Sequence, residues 1–163
     1  MPPVESHTVS TSADISTCGN YRYSLSRICD TSKPVGALIL LNPSTATALL
    51  SDQTVCNCNN LAVQWGWGGF HIVNLFAFRA TNPQQLKSQI DPIGPLTDQK
   101  ISQIANLVSY VVLAWGNGHR SRAEEVRKLL GARKFYCIKK NSGGGYLHPA
   151  RIKVEDYPRP IPI

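Results

Sequence analysis

The chain has 163 residues, 42% of them apolar, which is enough for one compact domain with a sizeable core. Lys and Arg outnumber Asp and Glu by 17 to 10, and the formal net charge of +7 favours association with a polyanion such as DNA. Five cysteines without a CxxC pair argue against a secreted disulfide framework, and the polar N-terminus argues against a signal peptide or membrane span, so we expect a cytoplasmic protein of a bacterial, viral or host cell interior.

The first part of the chain contains one fully apolar segment, residues 35–41, preceded by a polar segment and a predicted strand. Residues 1–19 lack hydrophobic periodicity and are predicted to be a flexible leader, whereas residues 21–28 alternate bulky and polar side chains, as in a half-buried strand at a sheet edge. Residues 35–41 are apolar throughout, which predicts a strand buried on both faces. That strand ends at Asn42, Pro43 and Ser44. Ligands bind at the carboxyl ends of parallel strands, so these residues are candidates for an active-site edge, although they are also typical of a turn and a helix cap.

The rest of the chain alternates helices with strands. Apolar spacing predicts helices over residues 54–65, 96–108 and 121–130, and strands over residues 70–76, 110–115 and 134–138. A polar loop over residues 141–150 and a Pro-rich tail over residues 158–163 follow. This alternation predicts an α/β fold, a three-layer α/β/α sandwich with a central four-stranded parallel sheet, formed by one domain over residues 20–157.

Several rare motifs stand at or near the ends of the predicted strands. In chain order they are Asn42-Pro43-Ser44-Thr45-Ala46, Asp52-Gln53-Thr54-Val55, Asn74-Leu75-Phe76-Ala77-Phe78-Arg79-Ala80-Thr81, Trp115-Gly116 and His148-Pro149. They closely resemble the DUF1643 family, a domain of unknown function, and the resemblance covers roughly residues 20–155. The chain departs from the family pattern at Tyr146-Leu147 and Ala150-Arg151, where Pro-Arg and Leu-Tyr are usual around the His-Pro pair.

The same order of motifs is similar, more distantly, to the uracil-DNA glycosylase superfamily. That resemblance implies a uracil-DNA glycosylase-like fold and a hydrolase that binds DNA, flips out a natural or modified pyrimidine and cleaves its N-glycosidic bond. It implies His148 as a donor to a carbonyl oxygen of the departing base, and Asn42 as the residue that holds the attacking water. A carboxamide cannot accept a proton, so either Asp52 acts as the base or catalysis rests on positioning alone.

Other side chains complete the expected substrate pocket. Asn74 offers a donor and an acceptor to a base edge, and Arg79 offers a charge to a phosphate or to Asp52. Pro43, Ser44, Phe76 and Trp115 are the remaining substrate-binding candidates. Ser44 and Val55 stand where uracil-specific enzymes carry aromatic residues, which implies room for a larger base.

Nucleic-acid contacts are expected near the end of the chain. Gly144 and Gly145 allow backbone amides to approach a phosphate, and Arg151 can contact a second one. Ile152 stands where the superfamily inserts an apolar wedge into the duplex. The alternatives are a merely flexible loop and an isoleucine that faces the core.

Two further functions fit the same residues. The first is a non-enzymatic nucleic-acid- or nucleotide-binding protein, or a glycosylase mimic, that uses the same cleft. The second is a hydrolase or transferase that acts on free nucleosides. Cys56 and Cys58 offer metal ligands, but no second pair or histidine stands at zinc-site spacing, so we predict no metal and no cofactor. DNA is the expected partner, no membrane is expected, and a monomer is the default.

Overall fold

A mixed seven-stranded sheet organises residues 5–163, the part of the chain that the computed structural model describes. Its strands are β1 (Ser10–Ile15), β2 (Arg22–Ile28), β3 (Val35–Leu40), β4 (Gly69–Asn74), β5 (Tyr110–Leu113), β6 (Tyr136–Cys137) and β7 (Ile161–Pro162), in the spatial order β1-β2-β4-β3-β5-β6-β7. Neighbouring strands from β4 to β6 run parallel, whereas β1, β2 and β7 pair antiparallel at the two sides. The α/β class is confirmed, but the sheet is larger and more mixed than the four parallel strands that we predicted.

The additional strands come from segments that the sequence assigned to a leader, an edge strand and a tail. Ser10–Ile15 forms β1, so this part of the predicted leader is ordered by pairing with β2, and Ser12 and Ser26 share a hydroxyl hydrogen bond of 2.7 Å. Consequently β2 lies inside the sheet and not at its edge. Ile161–Pro162 in the predicted tail pairs with β6. An outer strand is stabilised mainly by backbone hydrogen bonds to its neighbour and less by apolar burial, so its sequence shows little hydrophobic periodicity. Residues 1–4 of the predicted leader lie outside the described residues.

Three α-helices pack against the sheet. They are α1 (Gln53–Gln64), α2 (Thr97–Leu107) and α3 (Arg120–Leu130), and short 3-10 helices form at Pro83–Ser88, Pro149–Arg151 and Val154–Asp156. Asp52 caps α1 by accepting a hydrogen bond of 2.9 Å from the Val55 amide. Gly131 ends α3 at a positive φ of 68°, a conformation that only glycine adopts without strain. No helix in residues 5–163 is long and apolar enough to cross a membrane.

Alternate residues of each inner strand build two separate hydrophobic cores. One core joins α1 to the face that carries Leu38, Ile72 and Val112, and we call it the α1 core. The other joins α2 and α3 to the opposite face, which carries Ile39, Val73 and Leu113. Helices therefore cover both faces, and the carboxyl ends of β3 to β6 meet at one edge of the sheet, where Asn42 and Asn74 follow or end their strands.

Candidate functional site

The loops that follow β3 and β4 are bonded to each other through Asn42. Its Nδ2 donates to the main-chain oxygens of Ala80 at 2.8 Å and of Pro43 at 3.0 Å, while the Ala80 amide donates to the Pro43 oxygen at 2.9 Å. The side-chain nitrogen is therefore used to hold two loops together. Only the Oδ1 atom is left for a water, so the structure favours the loop-bracing role of this half-buried residue over direct catalysis.

Asn74 ends β4 with a carboxamide that has no partner. The residue is 2% exposed, and both Oδ1 and Nδ2 are buried without a hydrogen bond. Its Cα pairs with Leu40 of β3, and because Ile72 faces the α1 core, Asn74 two residues later faces the same side. Leaving a buried polar group unpaired costs about 1–3 kcal/mol. The donor Nδ2 and the acceptor Oδ1 of Asn74 therefore lower the stability of the fold as long as they have no partners.

A second polar group on the same face was missed by the sequence analysis. Arg22, at the start of β2, is 3% exposed and donates from Nη1 to the Ala46 oxygen at 2.8 Å, but its Nε is buried without a partner. Burial lowers its pKa to about 10, and the negative charge of Asp52 opposes that shift. The alternation of residues 21–28 gave no signal of this burial, because arginine in such a pattern normally marks the solvent face.

The His148 ring is held by the backbone of its own loop. Its Nδ1 accepts from the Ala150 amide at 3.1 Å, so the proton of the neutral ring is assigned to Nε2. Burial lowers the pKa of His148 to about 4, although the charge of Asp52 acts in the opposite direction. The loop is fixed by α1, where Asn57 donates to the Pro149 oxygen at 2.6 Å. Since Asp52 caps that same helix, α1 positions both the predicted base and the predicted donor.

Arg79 binds main-chain oxygens and not a carboxylate. It donates from Nη1 to Gly19 at 3.2 Å, and its Nε is 3.5 Å from the Ser44 oxygen. No ion pair joins it to Asp52 within residues 5–163, so the alternative of an internal salt bridge is not what the structure shows. Ser44, Arg79 and Thr81 line an open cavity of about 340 Å³, where a phosphate could lie against the guanidinium.

The two aromatic residues proposed to contact a base belong to the core beneath α2 and α3. Phe76 packs edge-on against His119 at 5.2 Å between ring centroids, and Trp115 packs edge-on against Tyr146 at 5.3 Å. Asn74 faces the opposite side of the sheet, so these rings do not share its pocket. Pro43 is also buried, as a support of the loop after β3.

Comparison with known proteins identifies the family. A model described as a protein of unknown function (DUF1643) matches residues 22–150, most of the chain. The chain belongs to the DUF1643 family. Comparisons with the curated proteins and with the solved structures gave no match. The matched residues of the DUF1643 domain include all five motifs from Asn42 to Pro149, so the expected family is confirmed.

The glycine loop of the DUF1643 domain lies beside a basic cavity. Gly143, Gly144 and Gly145 line a space of about 250 Å³ with Arg120 and Arg127, although Glu124 contributes a negative charge to the same wall. The loop is fixed to the segment after β5 by two backbone bonds between Gly116 and Tyr146, of 2.7 and 3.1 Å. The predicted phosphate contact of Gly144 and Gly145 therefore falls on a loop that is hydrogen-bonded to the segment after β5.

Gly145→Ala should unfold this loop pairing. A Cβ at Gly145 would lie 2.0 Å from the Gly116 oxygen, a main-chain atom that cannot move aside, so we expect a loss on the order of 3 kcal/mol in urea denaturation. Gly143→Ala is the matched control, because its Cβ would meet only the Asn117 side chain, at 3.1 Å. Equal stability of the two variants would contradict this assignment.

The remaining predicted nucleic-acid contacts, Arg151 and Ile152, follow directly after the His148 loop. Arg151 is exposed, as a phosphate contact requires, but Ile152 is half-buried and packs against the α1 core. The structure thus favours the core-facing alternative for Ile152. Cys58 is buried in α1 and Cys56 is exposed, and no group of three His, Cys, Asp or Glu side chains in residues 5–163 is arranged to hold a metal ion.

Proposed function

We propose that this DUF1643 protein is a DNA glycosylase-like hydrolase with a uracil-DNA glycosylase-like α/β/α fold. The observation that carries the proposal is the buried, unpartnered carboxamide of Asn74 at the carboxyl end of β4. A base edge with one donor and one acceptor would satisfy both of its atoms. The net charge of +7 supports DNA as the partner.

The residues on the α1 side of the sheet supply the chemistry of N-glycosidic hydrolysis. The oxygen of a water molecule attacks C1′, the C1′–N bond breaks, and its electron pair leaves with the base. The neutral His148 ring donates from Nε2 to a base oxygen as negative charge develops there, and the Asp52 carboxylate accepts the proton of the water. Their proximity is supported by the effect of the Asp52 charge on the pKa of His148.

The test is a cleavage assay on oligonucleotides with uracil, 5-hydroxymethyluracil or glycosylated pyrimidines, in single and double strands, with alkali-labile sites as the readout. We expect cleavage of at least one substrate and a loss of 100-fold or more in His148→Ala, since general acid–base groups contribute about 10²–10⁴-fold. His7→Ala, an exposed histidine that bonds to Glu5, and Asn59→Ala, on the exposed side of α1, are the controls. Intact bases in every substrate, or full activity in His148→Ala, would refute the enzyme.

A non-enzymatic binder is the second candidate, favoured by two observations. The amide nitrogen of Asn42 is committed to loop carbonyls, and Asn74 is enclosed in the structure. Salt-dependent binding of an oligonucleotide whose bases stay intact would support this function. Binding that weakens in Arg79→Ala would then place the DNA backbone against the cavity beside Ser44.

A further inference from the structure

Arg22 carries a buried positive charge without a direct ion pair in residues 5–163, although the charge of Asp52 acts on it. Its Nη1 donates a hydrogen bond to the uncharged main-chain oxygen of Ala46, and its buried Nε has no hydrogen-bond partner. Removing a guanidinium from water without a carboxylate is costly, and the lowered pKa reflects that cost. A purely structural arginine would not be expected to keep a fully buried donor without a partner.

Arg27 shows what such a structural arginine looks like on the same strand. It is also buried on β2, and its guanidinium reaches the oxygens of Ala48 and Thr47 and the hydroxyl of Ser51. Both arginines thus hold the loop of residues 41–52. Of the two, only Arg22 has a side-chain donor that is fully buried without a partner.

The unpartnered Arg22 Nε belongs to the strand next to that of Asn74. β2 and β4 are neighbouring antiparallel strands, and the Arg22 amide donates to the oxygen of Ala77, three residues beyond Asn74. Arg22 reaches Ala46, which belongs to the α1 core, and Asn74 faces the same core. The buried side-chain nitrogens and oxygens without partners in the described residues are Arg22 Nε and the two Asn74 atoms.

We propose that Arg22 binds the ligand together with Asn74 and selects an imide group whose oxygen carries negative charge. This inference rests on the proposed function and assigns the stabilisation of the departing base to Arg22 as well as to His148. His148 is neutral near pH 7 and offers only a dipole, whereas Arg22 retains its charge. Arg22 Nε and Asn74 Nδ2 donate to imide oxygen atoms, and Asn74 Oδ1 accepts from the imide N–H.

Access to these atoms requires a movement of the loop of residues 41–52. Ala46 is fully buried above Arg22, and its oxygen occupies Nη1. When the loop lifts at Ala46, Arg27 still holds it at Ala48 and Ser51, so the loop moves about a fixed point. The ligand oxygen then accepts from Nε, which has no partner beforehand, while Nη1 is released from the Ala46 oxygen.

The experiment follows the arginine Nε–H signals of the ¹⁵N-labelled full chain by NMR, with Arg22→Lys used to assign the Arg22 signal. The probes are uracil, a neutral imide, and barbiturate, which has the same imide edge and is an anion at neutral pH. We expect both probes to shift the Arg22 signal and barbiturate to bind at least tenfold more tightly than uracil. Arg22→Gln should abolish that preference, while the matched Arg27→Gln should keep it.

Each outcome decides the inference. Equal affinity of the two imides, an unmoved Arg22 signal, or the absence of binding would overturn it, and the first two leave the glycosylase proposal intact. A shifted Arg22 signal and a preference for barbiturate without cleavage of any oligonucleotide would uphold the anion-binding pair and refute the glycosylase. If Arg22→Gln does not fold, the wild-type titration still decides between these results.

Discussion

Asn74→Leu should make the protein more stable and abolish the proposed base cleavage. Leucine has the same branched shape as asparagine but no polar atoms, so it removes the cost of two buried groups without partners. We expect the free energy of unfolding to rise by about 2 kcal/mol, measured by urea denaturation monitored through tryptophan fluorescence. Base cleavage and uracil binding should disappear, because no other group at this position offers both a donor and an acceptor.

Asn57→Leu is the matched control for that substitution. Asn57 is also a buried asparagine on the α1 side, but its carboxamide donates to the Pro149 oxygen and accepts from Gln53. Its replacement should leave the Pro149 oxygen unpaired and lower stability by about 1–3 kcal/mol. A loss of stability in both variants would show that Asn74 is a structural residue and that its apparent isolation has no functional meaning.

Stability should fall steeply as the solution is acidified from pH 6.5 to pH 4. The folded-state pKa of His148 is about 4, against 6.5 for an unperturbed histidine. Between pH 4 and pH 6.5 the unfolded chain therefore binds a proton at this residue that the folded chain does not bind. The stability contributed by the neutral ring is complete above pH 6.5 and is lost as the pH falls to 4. A shift of this size corresponds to roughly 3 kcal/mol.

His148→Asn isolates that contribution. The asparagine oxygen can still accept from the Ala150 amide, since asparagine is a favoured helix cap, but it does not titrate. Denaturation at pH 7, 6, 5 and 4 should therefore show a much shallower decline in this variant. Burial also lowers the pKa of His71 and His119, so a residual slope of the same sign will persist. An unchanged pH dependence would mean that His148 is solvated in the folded protein.

The inner elements of the fold could be predicted from the sequence because their burial is regular. The apolar run at residues 35–41 and the spacing of Ile101, Ile104 and Ala105 gave β3 and α2 within a residue or two. The outer strands β1 and β7 could not be predicted, since they gain their order from hydrogen bonds to a neighbour. Hydrophobic periodicity reports which residues are buried. It does not identify a strand that is stabilised mainly by backbone hydrogen bonds to its neighbour.

The site was predicted less completely, for a different physical reason. Residue type identified Asn74, His148 and Asp52 as chemically capable, but only the packing showed that Asn74 lacks a partner while Asn42 has two. Arg22 was missed because a bulge in the β1–β2 register breaks the alternation that would have placed it. Phe76 and Trp115 were assigned to the pocket by motif order, which carries no information about which face of the sheet a ring occupies.

The last strand affects how this sheet meets other molecules. β7 lies at an outer edge, and an exposed edge presents free backbone groups on which a strand of another chain can align. Pro160 and Pro162 lack the N–H that such pairing needs, and β7 is only two residues long. The short, proline-containing strand therefore covers β6 without offering a new ladder, which disfavours pairing with another chain at this edge of the sheet.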